Sequence, residues 1–185
     1  MPETQRGARC VVVMGPSGVG KTTVAKALAG RLGWLFAEAD EFHPPANIEQ
    51  MSAGIPLDDD DRAPWLASIR DWISDHGAAG SSSVVTCSAL KRRYREVLRG
   101  ATVELSFVEL VGELALVKER MAKRTGHYMP VSLLDSQFEA LEKLAPDETD
   151  GVLVDVNADP DTVVARALAA LGLGDPAPRA VAARG

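Results

Sequence analysis

Residues 15–22 read Gly15-Pro16-Ser17-Gly18-Val19-Gly20-Lys21-Thr22, and they directly follow the apolar run Cys10-Val11-Val12-Val13-Met14. This octapeptide matches GxxxxGK[ST], the pattern of a phosphate-binding loop between a strand and a helix. Its glycines let backbone N–H groups turn towards phosphate oxygens, Lys21 adds a positive charge, and the hydroxyl of Thr22 is a ligand for Mg²⁺. The following helix points its positive end at the same anion. The motif predicts a nucleotide-dependent protein.

The bulk properties of the chain predict one domain. The 185 residues are 46% hydrophobic and include two cysteines, Cys10 and Cys87. Both cysteines lie in apolar runs, which favours buried thiols over a disulfide or a zinc site. With no signal segment or membrane span visible, we expect a cytoplasmic protein. Residues 1–173 are expected to form a single P-loop domain, and residues 174–185 a disordered tail without chemistry.

Short strand-like runs alternate with longer helical ones, which is typical of a parallel sheet with helices on both faces. Together with the phosphate-binding loop, this alternation predicts a three-layer α/β fold of the P-loop type, with a central five-stranded parallel sheet. The predicted strands are Cys10–Met14, Trp34–Ala37, Val84–Cys87, Ser106–Leu110 and Val152–Val156. The predicted helices are Lys21–Leu32, Ile48–Ser52, Ala63–Asp75, Leu90–Leu98, Glu113–Lys123, Ser132–Leu144 and Pro160–Leu171.

The charge pattern argues against a general nucleic-acid-binding protein. The net charge is −6, whereas nucleic-acid-binding domains normally carry a basic face. The densest basic cluster is Lys91-Arg92-Arg93 with Arg95 and Arg99. It could face a small anion or simply form a solvated helix face.

A phosphate-binding loop does not by itself separate kinases from GTPases, but the chain has no guanine-reading Asn-Lys-x-Asp motif. A small-molecule kinase needs an acceptor segment after its second strand. Here Asp40 and His43 follow the second strand, at the edge of the sheet where open α/β folds bind ligands. Asp40 could accept a hydroxyl proton or bind the hydroxyl, or instead cap a helix or hold the Mg²⁺ shell through water. His43 could bind a hydroxyl or order its loop.

Further acceptor candidates follow the next two elements. Arg62 closes the acidic run Asp58-Asp59-Asp60-Asp61 and could hold a substrate carboxylate with its guanidinium fork, or pair only with those acids. Ser88 and Lys91 follow the third strand, and Arg95 lies four residues after Lys91. On a helix that spacing puts both cations on one face, which favours a shared anion.

A kinase also needs a lid that closes over the phosphates and excludes water. We place it at about residues 120–131, where Arg120 and Arg124 have the spacing of one helical face and Gly126-His127 follows. Arginines in this arrangement can neutralise the charge of the transferring phosphoryl group. The alternative is a basic helix end that interacts with its own dipole.

These motifs resemble those of the P-loop gluconate kinases, relatives of shikimate kinase and the nucleoside monophosphate kinases. The resemblance runs over residues 10–172 in the family's order. Its segments after the P-loop are Ala39-Asp40-Glu41-Phe42-His43-Pro44 with Asn47-Ile48-Glu49 and Met51; Gly54-Ile55-Pro56-Leu57-Asp58-Asp59-Asp60-Asp61-Arg62 with Pro64-Trp65-Leu66; Cys87-Ser88-Ala89-Leu90-Lys91 with Tyr94-Arg95; Gly126-His127; and Gln137-Phe138-Glu139-Ala140-Leu141-Glu142.

The resemblance implies transfer of the ATP γ-phosphoryl group to the 6-hydroxyl of D-gluconate, with Mg²⁺ required, in a homodimer. ATP would bind residues 15–22, Arg120 and Arg124 would act from the lid, and adenine would lie near Asn157-Ala158-Asp159. The residues expected around gluconate are Asp40, Arg62, Lys91, His127 and Gln137. Thr22 replaces the serine that is common in this family, and Tyr128 stands where phenylalanine is expected.

Three other interpretations stay open at this stage. The chain could be a kinase of the same architecture for shikimate or a nucleoside monophosphate. It could be a nucleotide-dependent sensor that binds a sugar acid without phosphorylating it. It could also be a nucleic-acid-associated ATPase that uses the Lys91 to Arg99 cluster, although the acidic net charge argues against this.

Overall fold

Five parallel strands form the centre of the computed structural model, which describes residues 7–16, 18–123 and 132–173. In chain order the strands are β1 (Arg9–Met14), β2 (Leu35–Glu38), β3 (Ser83–Thr86), β4 (Glu104–Val111) and β5 (Gly151–Asp155). They lie side by side in the order β2-β3-β1-β4-β5. Because β1 lies between β3 and β4, its carboxyl end is the switch point where open α/β sheets bind ligands.

The helices that cover this sheet are α1 (Lys21–Leu32), α2 (Pro45–Ser52), α3 (Asp59–Ala78), α4 (Arg92–Arg99), α5 (Leu114–Ala122), α6 (Ser132–Ala140) and α7 (Pro160–Ala170), with a short 3₁₀ helix at Ala39–Phe42. Leu28 of α1 and Val164 of α7 pack against Val108 on one face. Ile69 of α3 and Leu98 of α4 pack against Phe107 on the other. The three-layer α/β architecture is therefore confirmed.

Alternate residues of β4 enter the two cores because successive side chains of a strand point to opposite faces. Val108 and Leu110 join the core beneath α1 and α7, whereas Phe107 joins the core beneath α3 and α4. Met14, the last residue of β1, is in register with Glu109. Glu109 therefore points to the α3 and α4 side, next to the strand end from which the phosphate-binding loop leaves.

The structure corrects several predicted helix bounds. Helix α3 begins at Asp59, four residues before the predicted start, because Asp58 and Asp61 form a reciprocal capping box. Helix α2 begins at Pro45, whose fixed φ suits a first turn. Helix α4 begins at Arg92, so Lys91 is its N-cap, with an extended backbone.

Helix α6 ends at Ala140 and not at Leu144. The residues after it make tertiary hydrogen bonds in place of helical ones. The Glu142 N–H donates to the Leu90 carbonyl at 2.6 Å, and the Leu144 N–H donates to the Glu109 carboxylate at 3.0 Å. Apolar periodicity could not reveal these partners because they are distant in sequence.

Both cysteines are buried free thiols, as predicted. Burial raises the pKa of Cys10 and of Cys87 to about 12. No helix among the described residues is long and apolar enough to cross a membrane. The predicted tail at 174–185 and most of the predicted lid lie outside the described residues.

Candidate active site

The phosphate-binding loop follows the carboxyl end of β1, at the switch point of the sheet. Three of its glycines have positive φ, with values of 143° at Gly15, 84° at Gly18 and 98° at Gly20. A β-carbon at Gly18 would also stand 2.5 Å from Cγ of Met121. Lys21 Nζ donates to the carbonyls of Gly15 and Pro16 at 2.9 and 3.1 Å, so its ammonium group reaches across the loop. This backbone is suited to cradle an anion. Of the predicted loop residues, Ser17 lies outside the described ones.

Thr22 in the first turn of α1 is hydrogen-bonded to the carboxylate of Glu38, a residue that the sequence analysis did not identify. Its hydroxyl donates to Glu38, the last residue of β2, at 2.5 Å. A hydroxyl and a carboxylate supply the hard oxygen atoms that Mg²⁺ prefers. The donor set at this edge of the sheet therefore fits the predicted magnesium ion. The position of Glu38 one residue before the Ala39-Asp40 segment was the only signal in the sequence.

The ends of β1 and β3 meet at this edge. The Gly15 N–H donates to the Ser88 carbonyl at 3.4 Å, so Ser88 lies against the phosphate-binding loop. The thiol of Cys87 lies next to Ser88 in the sequence. Burial has the largest effect on the pKa of this thiol, and the charges of Asp40, Lys21 and Arg62 have smaller effects. Cys87 is thus within electrostatic range of Lys21 in the phosphate-binding loop's helix, the predicted base and the predicted substrate arginine.

Asp40 and His43 follow β2 but have different environments. Asp40 is exposed in the 3₁₀ helix, where its carboxylate is accessible to an acceptor. His43 is buried, stacks on Trp65 with ring centroids 4.1 Å apart, and lies 3.4 Å from the Asn47 side chain. Burial lowers the pKa of His43 to about 4, so its imidazole is neutral at pH 7. These contacts favour the loop-ordering role for His43 over hydroxyl binding.

A cavity of about 200 Å³ brings three predicted substrate residues together. Arg62 of α3, Lys91 at the N-cap of α4 and Gln137 of α6 all line it. Tyr94, which the sequence reasoning did not name as a site residue, lies among them and accepts a hydrogen bond from Arg62 at 3.0 Å. We call this the cationic cavity. Asp58 and Asp59 also line it. The groups that a small anion rich in hydroxyl groups could use are the two basic side chains, the phenol and the amide.

Asp59 forms ion pairs with two basic residues at this cavity. Its carboxylate pairs with Lys91 at 3.4 Å, and it also contacts Arg93 and accepts from the Tyr94 hydroxyl. The hydrogen bond from Tyr94, together with the charges of Lys91 and Arg93, lowers the pKa of Asp59. Asp59 thus stays ionised and holds the cavity in shape. No local spacing identifies Asp59, because its partners Lys91 and Tyr94 are 32 and 35 residues away in the sequence.

The prediction that Arg95 shares an anion with Lys91 is wrong. Arg95 is fully buried and forms a bidentate pair with Glu148, with both N–O distances 2.7 Å. Its remaining N–H donors reach the carbonyls of Ala89 and Glu142. The spacing argument failed because Lys91 precedes α4, so the two residues do not lie on one helical face. Arg95 instead supports the backbone that carries Ser88 and Lys91.

The rest of the basic cluster is also paired with acids. Arg92 forms a bidentate pair with Asp147, and Arg99 contacts Glu148 and Asp150. Together with the Asp59 contacts of Lys91 and Arg93, these pairs leave little positive field for a polyanion. The arrangement argues against the nucleic-acid-associated ATPase.

The last predicted group belongs to the lid. Arg120, in the last turn of α5, donates to the Val156 carbonyl at 3.0 Å, next to the loop where adenine is expected. Arg124 and His127 lie outside the described residues, so their predicted roles stay predictions.

Comparison with known proteins agrees with this geometry. A family model described as an AAA domain matches residues 10–145. A gluconokinase from Gluconobacter oxydans is 56% identical over 151 residues, which cover 79% of this chain and 83% of the relative. The structure of an unliganded sugar kinase from Janibacter sp. HTCC2649 superimposes with a TM-score of 0.86 at 49% identity, covering 91% of this chain and 96% of that one. A gluconokinase structure from Sinorhizobium meliloti has a TM-score of 0.78 at 47% identity and covers 92% and 94% of the two chains.

Proposed function

Because this chain belongs to the gluconokinase family of P-loop kinases, we propose that it transfers the γ-phosphoryl group of ATP to the 6-hydroxyl of D-gluconate. The products would be 6-phosphogluconate and ADP. One observation carries the proposal: the cationic cavity, with Arg62, Lys91 and Gln137, lies at the same edge of the sheet as the phosphate-binding loop. We also propose, as the resemblance implies, that the enzyme acts as a homodimer in the cytoplasm.

Gluconate carries one carboxylate and a chain of hydroxyl groups, which match the side chains of the cationic cavity. Arg62 can bind the carboxylate through its guanidinium group, with Lys91 as a second cation. Tyr94 and Gln137 can exchange hydrogen bonds with the hydroxyl groups. The carboxylate end of gluconate would therefore lie in the cavity, with its 6-hydroxyl directed towards the phosphate-binding loop.

The catalytic contribution of the chain is positioning and charge stabilisation, which dominate in phosphoryl transfer. Lys21 and Arg120 would stabilise the negative charge that spreads over the phosphate oxygens. Asp40 would orient the acceptor hydroxyl and could take its proton. Thr22 and Glu38 would hold Mg²⁺ directly or through water, and the ion would supply positive charge that offsets the negative charge of the phosphates.

The residues outside the described ranges have proposed roles as well. Arg124 would act with Arg120 from the lid, and His127 would contact gluconate. Ser17 would contribute to the phosphate-binding loop.

Substitution of Lys21 tests the nucleotide part of the proposal. We expect Lys21→Ala to lower kcat by at least about 100-fold, because it removes a cation from the transferring phosphate. Lys26→Ala is the matched control, since Lys26 is an exposed lysine of the same helix α1 that lies over Phe36. Both variants should keep the circular dichroism spectrum of the parent. Full turnover in Lys21→Ala would contradict the assignment of the loop.

A further inference from the structure

The indole of Trp65 in α3 joins the two ends of the proposed acceptor site. Its side chain is buried, and its N–H donates to the Ala39 carbonyl at 2.6 Å. Ala39 is the first residue of the 3₁₀ helix that carries Asp40. Trp65 itself lies on α3 three residues after Arg62. One side chain therefore links the segment of the proposed base to the helix of the proposed carboxylate ligand.

The same indole also holds the other end of the 3₁₀ helix. His43 follows that helix, and its imidazole stacks on Trp65 with an angle of 13° between the ring planes. The backbone N–H of His43 donates to the Asp40 carbonyl at 3.3 Å. Asp40 thus lies between two residues that both contact Trp65. A shift of Asp40 relative to α3 would have to break at least one of these contacts.

The side chain of Asn47 in α2 adds a second link of the same kind. Asn47 is buried, and its amide donates to the Asp61 carbonyl at 3.1 Å and lies 3.4 Å from Nδ1 of His43. A neutral imidazole can accept a hydrogen bond at that nitrogen. Asp61 directly precedes Arg62 in the sequence. The stacked pair of His43 and Trp65 is therefore fixed to the first turn of α3 as well.

The two charges that this arrangement would keep in place both act on His43. After the larger effect of burial, Asp40 raises the pKa of His43 and Arg62 lowers it. The stacked rings thus lie within electrostatic range of both groups. Their relative position matters for catalysis, because a misplacement of about 1 Å can slow a reaction by about 100-fold.

We propose that Trp65 is a positioning residue that fixes Asp40 relative to Arg62. A gluconate bound at its carboxylate by Arg62 would then present its 6-hydroxyl to Asp40. Trp65 would act through Ala39 and His43 and would not itself bind the acceptor. The inference rests on the proposed function, since it assigns the two ends of the acceptor to these residues.

Two replacements of Trp65 test this role. Trp65→Phe removes the N–H donor and part of the ring, whereas benzothienylalanine at position 65 keeps the two-ring shape and has sulfur in place of the N–H. We expect kcat to fall by about 10- to 100-fold in both variants. The KM values for gluconate and ATP should stay within about threefold of the parent, because the groups that bind them remain.

The matched control is Trp72→Phe, the same substitution two turns later on α3. The Trp72 ring contacts Phe42 of the 3₁₀ helix and His76, with centroids 6.2 and 4.3 Å apart. This control therefore reduces packing against the same segment, and it should keep kcat within about threefold of the parent. Hydrogen exchange of the backbone amides of residues 40–43 should be faster in both Trp65 variants than in the parent or the control.

Three results would overturn the positioning role. They are full kcat in the benzothienylalanine variant, unchanged amide exchange at residues 40–43 in that variant, and an equal loss of kcat in Trp72→Phe. A parent protein that does not phosphorylate gluconate would instead contradict the proposed function. The amide exchange would still decide whether Trp65 holds the segment of Asp40, because that measurement needs no turnover.

Discussion

Arg62 is the residue on which the proposed recognition of the acceptor depends most directly. It lines the cationic cavity, and its guanidinium group donates to Tyr94 and lies 5.2 Å from the centre of that ring. This contact holds the guanidinium in place before substrate arrives, so little side-chain entropy is lost on binding.

We therefore expect Arg62→Ala to raise the KM for gluconate by about 30- to 1,000-fold, equivalent to roughly 2 to 4 kcal/mol. The KM for ATP should stay close to that of the parent. Arg70→Ala is the matched control on the same helix, because Arg70 pairs only with its neighbour Asp71 among the ion pairs of the described residues. An unchanged KM for gluconate in Arg62→Ala would remove this residue from the substrate site.

His43 couples the stability of the fold to pH. Burial lowers its pKa from 6.5 to about 4, so below pH 6.5 the unfolded chain takes up a proton that the folded chain does not. The stability that this residue contributes is complete above pH 6.5 and is lost as the pH falls towards 4. After allowance for solvent screening, the loss is about 1 to 2 kcal/mol.

Urea unfolding of the parent and of His43→Phe between pH 7 and pH 4.5 measures this effect. Phenylalanine can keep the stacking on Trp65 but cannot titrate. The difference in free energy of unfolding between the two proteins should therefore change over this range. Parallel pH profiles would show that His43 is not the titrating group.

At the scale of elements, a buried ion-pair network joins α4 to the segment between α6 and β5. Arg95 and Glu148 are both buried, and Arg99 adds a third contact at 3.0 Å. The hydrogen bonds of Arg95 lower the pKa of Glu148 to about 2, so this carboxylate is ionised throughout the physiological range. Through the Ala89 and Glu142 carbonyls, Arg95 joins the segments next to Lys91 and after α6, and both Lys91 and Gln137 of α6 line the cationic cavity.

Removal of Arg95 should be costly because it leaves the charge of Glu148 buried without its main partner. We expect Arg95→Ala to lower the free energy of unfolding by about 3 to 5 kcal/mol. Arg92→Ala, which breaks the exposed pair between Arg92 of the same helix and Asp147, should lower the free energy of unfolding far less. Urea denaturation compares the two variants, and equal small losses would contradict a supporting role for Arg95.

The elements also show where sequence reasoning succeeds and where it fails. The bounds of α1 match the prediction because its determinants are local: the phosphate-binding loop before it and Gly33, with a φ of 68°, after it. The end of α6 and the role of Arg95 depend on partners up to 53 residues away, such as Glu148. Local spacing does not contain that information.

At the scale of the whole molecule, the five-stranded parallel sheet could be predicted because each strand is a short run that a helical segment separates from the next strand. Arg62 and Lys91 could be named as acceptor candidates from the residues themselves, whereas Gln137 came only from the family resemblance. Glu38, Asp59 and Tyr94 were missed. Their roles come from contacts with Thr22 and with the cations of the cavity, which only the fold brings within reach.

The central claim is that the sheet edge joins a nucleotide loop to a cavity for a hydroxylated anion. The most direct test is ADP release from Mg-ATP by the purified protein, with gluconate, shikimate, AMP or no acceptor in parallel coupled assays. We predict turnover with gluconate alone and 6-phosphogluconate as its product. Turnover only with shikimate or AMP would contradict the assignment of the cationic cavity, and no turnover with any acceptor would favour a protein that senses a sugar acid without phosphorylating it.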